Sequence, residues 1–167
     1  MSKNILIVGA SGLVGGEILK NLKTTNNDLI LLSRKKLLCE NSINQIVIDF
    51  ENIDSLDASL KVDEIYIAIG QKLSLSELVY IKKNNRKSFV NVDYNYIKKV
   101  AEFAKKCGAS SIGLISAIGA NTKSFNTYLK VKGDVEQEIK LVGYKKIIIA
   151  HPSHLLGKRA GEDIPCL

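Results

Sequence analysis

Three side chains in the second half of the sequence have types and spacing suited to proton transfer. Tyr128 and Lys132 lie four residues apart in Tyr128-Leu129-Lys130-Val131-Lys132, and Ser116 precedes the tyrosine by twelve residues. On a helix, a spacing of four places two side chains on one face, one turn apart. A phenol with an intrinsic pKa of about 10 comes closer to working pH when a nearby ammonium stabilises its phenolate. It can then exchange a proton with an alcohol or carbonyl oxygen. A Tyr-x-x-x-Lys pattern is cheap in a chain with 21 lysines, so its weight rests on the hydroxyl and the strand that precede it.

The second constellation is Gly9-Ala10-Ser11-Gly12-Leu13-Val14-Gly15, which closes an Ile/Val run and opens a helical pattern. Glycines there permit a tight turn, approach of backbone N–H groups to a pyrophosphate, and close contact between helix and sheet. The helix N-terminus adds partial positive charge. Gly9, Ser11, Gly12, Leu13, Val14 and Gly15 are therefore candidate dinucleotide contacts; the alternative is a plain glycine-rich turn.

About twenty residues on, where an NAD site usually presents Asp or Glu to the ribose hydroxyls, the sequence reads Leu32-Ser33-Arg34-Lys35-Lys36. Arg34 can pair with a 2′-phosphate or stack on adenine, and Lys35 adds charge, so NADP is expected ahead of NAD. Both could instead be ordinary loop charges. Asp49 could accept from the adenine amino group and Phe50 could flank the base. Ala68, Ile69 and Gly70 present small residues and backbone where ribose and nicotinamide would pass, although Gly70 could also be only a strand-ending turn.

These residues need a scaffold that gathers them at one edge. Apolar runs at Asn4–Val8, Asp28–Leu32, Gln45–Asp49, Glu64–Ile69, Ser111–Ile115 and Lys145–Ala150 read as buried strands of a parallel sheet. Helices are expected over Gly12–Leu22, Ser76–Lys83, Tyr94–Cys107 and Ser124–Val142, with Gly108 and Gly143 as stops. The class is α/β: a doubly wound Rossmann fold, mainly parallel, with strand order 3-2-1-4-5-6 and helices on both faces.

Composition bounds the rest. A chain of 167 residues with 46% hydrophobic and 25% charged side chains fits one domain, and no internal boundary or repeat is visible. No window reaches the roughly 18 consecutive apolar residues of a membrane span, and the short run Ile5–Val8 does not make a secretory leader. Cytoplasmic residence is the expectation. The net charge of +7 is carried mainly by dispersed lysines without an aromatic-rich module, so a solvated surface is expected rather than a nucleic-acid partner. Cys39, Cys107 and Cys166 have neither disulfide nor zinc spacing. His151 and His154 flank Pro152-Ser153 without an acidic residue close in sequence, and no metal is expected.

The ordered set, from the glycine turn through Ser116 to Tyr128-Leu129-Lys130-Val131-Lys132-Gly133-Asp134-Val135-Glu136, resembles the short-chain dehydrogenase/reductase superfamily. It is similar to the atypical branch that holds Tat-interacting-oxidoreductase-like and bacterial NAD(P)-binding, epimerase/dehydratase-like proteins. The resemblance implies a bound NADP(H), with Tyr128 as proton donor or acceptor and a strand-five serine polarising a substrate carbonyl. It also implies that Lys132 holds the nicotinamide ribose and lowers the Tyr128 pKa. It places Pro152 beside the cofactor, and Asp93 at a recurring helix-start position that reads as a cap.

Two departures stand out. Family members commonly pair two serines after strand five, whereas Ser116 is followed by Ala117, so Ser124 or Thr127 could supply the hydroxyl. Relatives also show Arg-Pro-Gly where this chain has His151-Pro152-Ser153, and they continue beyond Leu167, which implies an incomplete substrate side. The expected function is an NADP-dependent oxidoreductase acting on a small carbonyl or alcohol substrate. The alternatives are a non-catalytic NADP(H)-binding module that signals to a protein partner, or a truncated remnant. Helices Tyr94–Cys107 and Ser124–Val142 could pair two subunits in a homodimer.

Overall fold

The computed structural model describes residues 2–38 and 43–153. Cys39, Cys166, His154 and the family-like segment after it lie outside the described residues. Six parallel strands form one sheet in the order β3-β2-β1-β4-β5-β6. They are β1 Asn4–Val8, β2 Asp28–Ser33, β3 Asn44–Val47, β4 Glu64–Ile67, β5 Ser111–Ile115 and β6 Lys146–Ala150. The reversal of winding falls at β1, which pairs with β2 on one side (Val8 opposite Leu32) and β4 on the other (Val8 opposite Ile67).

Alternate residues of β1 feed opposite faces, as a period of two requires. Leu6 and Val8 join the larger core with Ile65, Ile67, Ile112 and Leu114, covered by α4 (Ile97–Lys106) and α5 (Thr127–Leu141). Ile5 and Ile7 join Leu31 under Leu19 of α1 (Leu13–Leu22). On β6 the cover is one-sided among the described residues. Ile147 and Ile149 pack on the larger core, while Ile148 is 47% exposed at the sheet edge.

The helical expectations need correction in the middle of the chain. The segment expected over residues 76–83 is only one short helix, α2 (Leu75–Val79), opened by a Ser74/Glu77 capping box. The chain then extends at Tyr80, whose φ and ψ are −146° and 114°. A new helix, α3 (Lys83–Val90), runs through a π-helical segment (Asn91–Tyr96) directly into α4. Apolar periodicity does not reveal α3, because Lys-Asn-Asn-Arg-Lys-Ser-Phe-Val has one deeply buried side chain, Phe89. A 3-10 turn, Phe50–Ser55, also follows β3 where no element was expected. Gly108 (φ 99°) and Gly143 (φ 84°) end α4 and α5 in the left-handed conformation, as expected of them.

Two close approaches set the geometry that matters for function. A Cβ on Gly15 would lie 2.0 Å from the Gly9 carbonyl oxygen, so α1 can abut the end of β1 only without a side chain there. A Cβ on Gly133 would lie 2.5 Å from backbone atoms of Asn121 and Thr122, which locks α5 against the loop after β5. Gly15→Ala is expected to cost at the upper end of the ~1–3 kcal/mol typical of overpacking, lowering the thermal midpoint by roughly 5–10 °C. Gly16→Ala, whose Cβ would meet its nearest atom at an ordinary 3.5 Å, is expected to hold or raise it, since alanine is the better helix former by about 0.5–1 kcal/mol. Equal midpoints for the two variants, measured by circular dichroism, would contradict this packing.

Candidate functional site

The strands end on one side of the sheet, and the loops that leave them surround a cleft of about 390 Å³. It lies beside β1, at the switch point where open α/β sheets bind ligands. Gly9 turns with φ 92° and accepts from the Gly12 N–H at 2.9 Å, and Ser11, Gly12, Leu13 and Val14 face the cleft. No side chain caps α1 at Gly12, and its first turn carries no acidic residue. The positive end of the helix is therefore presented bare to the cleft, which suits a pyrophosphate. Gly15 does not line the cleft; it is the seat on which the turn packs.

The remaining sequence candidates divide. Arg34 lines the cleft after β2 while exposed to solvent, but Lys35 does not line it, and its carbonyl accepts from the Ser33 hydroxyl at 2.7 Å. Phe50 lines the cleft and packs edge-to-face on Tyr96 at 5.7 Å between ring centroids. Asp49, by contrast, caps the 3-10 turn by accepting from the Glu51 N–H at 3.1 Å, so its carboxylate serves the backbone instead of lining the cleft. Ala68, Ile69 and Gly70 border the cleft after β4, and Pro152 borders it after β6.

Tyr128 and Lys132 reach the same cleft from the first turns of α5. Asn126 fixes where that helix starts: its side chain accepts from the Leu129 N–H at 3.1 Å and donates to the Leu78 carbonyl at 2.8 Å, tying α5 to α2. The Tyr128 ring is half-buried beside Phe89, with centroids 5.9 Å apart. Burial pushes its phenol above the ordinary range, and the Asp93 carboxylate adds to that rise. The Lys132 ammonium is buried and paired with Asp93 at 2.8 Å.

Asp93, expected as a helix cap, does not occupy the cap position, which falls to Val90. It lies inside the π-helical segment, 1% exposed, and lines the cleft. Gln71, Val92, Tyr96 and Ser153 also line it without any signal in the sequence.

Ser116 is buried, and its hydroxyl donates to Glu136, whose same oxygen meets His151 Nε2 at 2.9 Å. The cleft is bordered by Ser116, but its proton is committed to the carboxylate. Ala117, in the neighbouring position, is buried and has no hydroxyl to offer. The fold therefore supplies the acidic partner that His151 lacks in sequence.

Comparison with known proteins places this geometry in a family. Residues 5–124 match the NAD dependent epimerase/dehydratase family. The chain is 32% identical to the rat protein HTATIP2 over 165 residues, covering 95% of this chain but 65% of that protein. It is 30% identical to the mitochondrial protein FMP52 of Lodderomyces elongisporus, covering 95% of this chain and 69% of the relative. Among solved structures, a Bacillus cereus UDP-glucuronic acid 4-epimerase in complex with NAD superposes with a TM-score of 0.72 at 14% identity, over 96% of this chain and 60% of that one. A Thermoplasma acidophilum aldohexose dehydrogenase gives 0.71 at 18% identity, over 91% and 66%; at such identity the likeness is one of fold.

The names of the relatives correct the expectation of a cytoplasmic protein, because FMP52 from several yeasts is named mitochondrial. The lack of a long apolar run does not choose between those compartments. Among the described residues no helix is long and apolar enough to cross a membrane. With the six-stranded order, the glycine turn at the switch point and the match over residues 5–124, the chain belongs to the NAD dependent epimerase/dehydratase family of Rossmann-fold proteins.

Proposed function

We propose that this protein is an NADP(H)-dependent oxidoreductase that interconverts a small carbonyl compound and its alcohol. The observation that carries the reading is the meeting of the bare α1 N-terminus with Tyr128 and Lys132 in one cleft. A nicotinamide dinucleotide, when bound, supplies hydride chemistry. The residues present fit such a group: an uncapped helix end for its pyrophosphate, an arginine after β2, an aromatic ring at Phe50, and small residues after β4. Arg34 favours NADP over NAD, because a guanidinium matches a 2′-phosphate in charge and in fork geometry.

Tyr128 holds the exchangeable proton at Oη. With its phenol pushed above the ordinary range, it is protonated at neutral pH and equipped to give that proton to a carbonyl oxygen as the carbon is reduced. Lys132, on the same helix face, borders the cleft as a buried cation. Substrate identity is open to the loops after β4, β5 and β6. A second reading, a nucleotide-binding module that signals to a protein partner, is favoured by one observation. The Ser116 hydroxyl is engaged by Glu136, and Ala117 stands beside it.

Titration with NADPH and NADH, followed by nicotinamide fluorescence, tests the cofactor assignment. NADPH is expected to bind more tightly, and Arg34→Ala is expected to weaken NADPH about tenfold, or ~1.4 kcal/mol, while leaving NADH nearly unchanged. Equal loss for both nucleotides would remove the case for NADP. A screen of aldehydes and ketones with NADPH separates the two readings. Turnover that falls by about 100-fold or more in Tyr128→Phe, with NADPH affinity retained, supports the enzyme. Nucleotide binding without turnover of any carbonyl would favour the module.

A further inference from the structure

Glu136 stands one turn beyond Lys132 on α5 and is 8% exposed. One of its carboxylate oxygens, Oε1, takes the Ser116 hydroxyl from the end of β5 and meets His151 Nε2, just past β6, at 2.9 Å. Two backbone bonds run alongside: the Ser116 N–H donates to the Ala150 carbonyl at 2.8 Å, and the Ile118 N–H donates to the Pro152 carbonyl at 3.1 Å. The chain leaving β5 is thereby zipped to the chain leaving β6. Ser116 borders the cleft, whereas His151 does not line it and has a side chain 45% exposed. The cluster therefore links a buried hydroxyl at the cleft to an imidazole that water can reach.

A serine hydroxyl has one proton to give, so while Glu136 holds it Ser116 has none for a ligand. Two groups share Oε1, and the share of each depends on its charge. An imidazolium makes a charge-assisted hydrogen bond to a carboxylate, roughly twice as strong as a neutral one. It draws electron density at Oε1 toward itself and weakens the pull on the hydroxyl. Histidine is the side chain whose charge ordinarily changes between about pH 5 and 8. The other charged groups on the elements packed here are engaged with one another: Lys132 with Asp93 of the π segment, Glu138 with Lys98 of α4, and Asp134 with Lys130. Lys140, one turn beyond Glu136, is exposed, and Lys146 is at the opposite end of β6 from His151. Helix α3 meets α5 through the Phe89 ring.

We propose that His151 is a positioning residue for Ser116, acting through Glu136: protonated His151 takes up the carboxylate and loosens the Ser116 hydroxyl toward the cleft, and neutral His151 leaves that hydroxyl held. The inference rests on the oxidoreductase reading for its biological meaning. Ser116 is then offered to a carbonyl oxygen on the acid side, where reduction consumes a proton, and is withdrawn on the alkaline side.

The test reads the Ser116 hydroxyl itself, in protein carrying ¹³C at serine Cβ and dissolved in equal parts light and heavy water. A slowly exchanging hydroxyl gives two Cβ resonances, one for each hydrogen isotope, and a fast one gives a single averaged resonance. The Ser116 signal is assigned by its loss in Ser116→Ala. At about pH 8, above the range in which histidine changes charge, the wild type is expected to show the split signal. His151→Arg places a permanent cation at this part-exposed position and is expected to speed exchange at least about threefold at that same pH. His151→Gln keeps a neutral donor; it is expected to match the wild type at about pH 8 and to lack the wild type's acceleration at about pH 5. A single averaged signal in the wild type at the alkaline pH would show that Glu136 does not hold the hydroxyl. Exchange in folded His151→Arg no faster than in the wild type, or equal acceleration on acidification in His151→Gln, would show that the charge at position 151 does not reach Ser116. Any of these results overturns the proposal. The measurement uses neither nucleotide nor substrate, so its failure is separate from a failure of the oxidoreductase reading.

Discussion

The contact on which the site depends is the close approach of α1 to the end of β1, backbone against backbone, at Gly9 and Gly15. A Cβ on Gly15 would sit 2.0 Å from the Gly9 carbonyl oxygen, and one on Gly9 would sit 2.6 Å from the Ala68 carbonyl oxygen beyond β4. Three elements therefore converge with no side chains between them. That convergence brings the helix N-terminus to the switch point between β1 and β4, and leaves its first-turn N–H groups as the floor of the cleft. Anything bulkier would push α1 away from the sheet, separating the anion-binding end from the strand ends that carry the rest of the site.

A second constraint operates across the cleft. Gly133 lets α5 lie against the Asn121–Thr122 backbone, and Asn126 starts that helix at one place relative to α2. Tyr128 and Lys132 inherit their positions from those contacts. The buried polar groups near the strand ends are paired: Asp93 with Lys132 and the Gln71 N–H, and Glu136 with Ser116 and His151. Such groups are costly unless paired, so each cluster constrains the elements that contribute to it. The Glu136 cluster joins β5, α5 and the end of β6, and the Asp93 cluster joins the π segment, the loop after β4 and α5.

What the sequence discloses follows from how local the physics is. The turn from Gly9 to Gly15 is legible because strand, glycines and helix are contiguous, and the parallel sheet is legible in near-continuous apolar runs with helical patterns between them, its strand order being that of the doubly wound fold they imply. Tyr128 and Lys132 are legible because four residues make one helical turn. Asp93 is not, because an acidic residue beside a helix start has the same signature as a cap, and its partner lies 39 positions away in sequence. Helix α3 is hidden because its residues are nearly all polar, and the extended backbone at Tyr80 has no glycine or proline to announce it. Asp49 shows the converse, where a carboxylate in a plausible register is claimed by the backbone of its own 3-10 turn.

The central claim is that the glycine turn and the Tyr128–Lys132 centre form two ends of one nucleotide site. The most direct test is to map amide shifts in ¹⁵N-labelled protein as NADP⁺ is added. Shifts concentrated at residues 9–14, 68–71 and 128–132 are the predicted result. Shifts confined to one of these segments, or falling on the outer faces of α4 and α5 while the turn is silent, would contradict it.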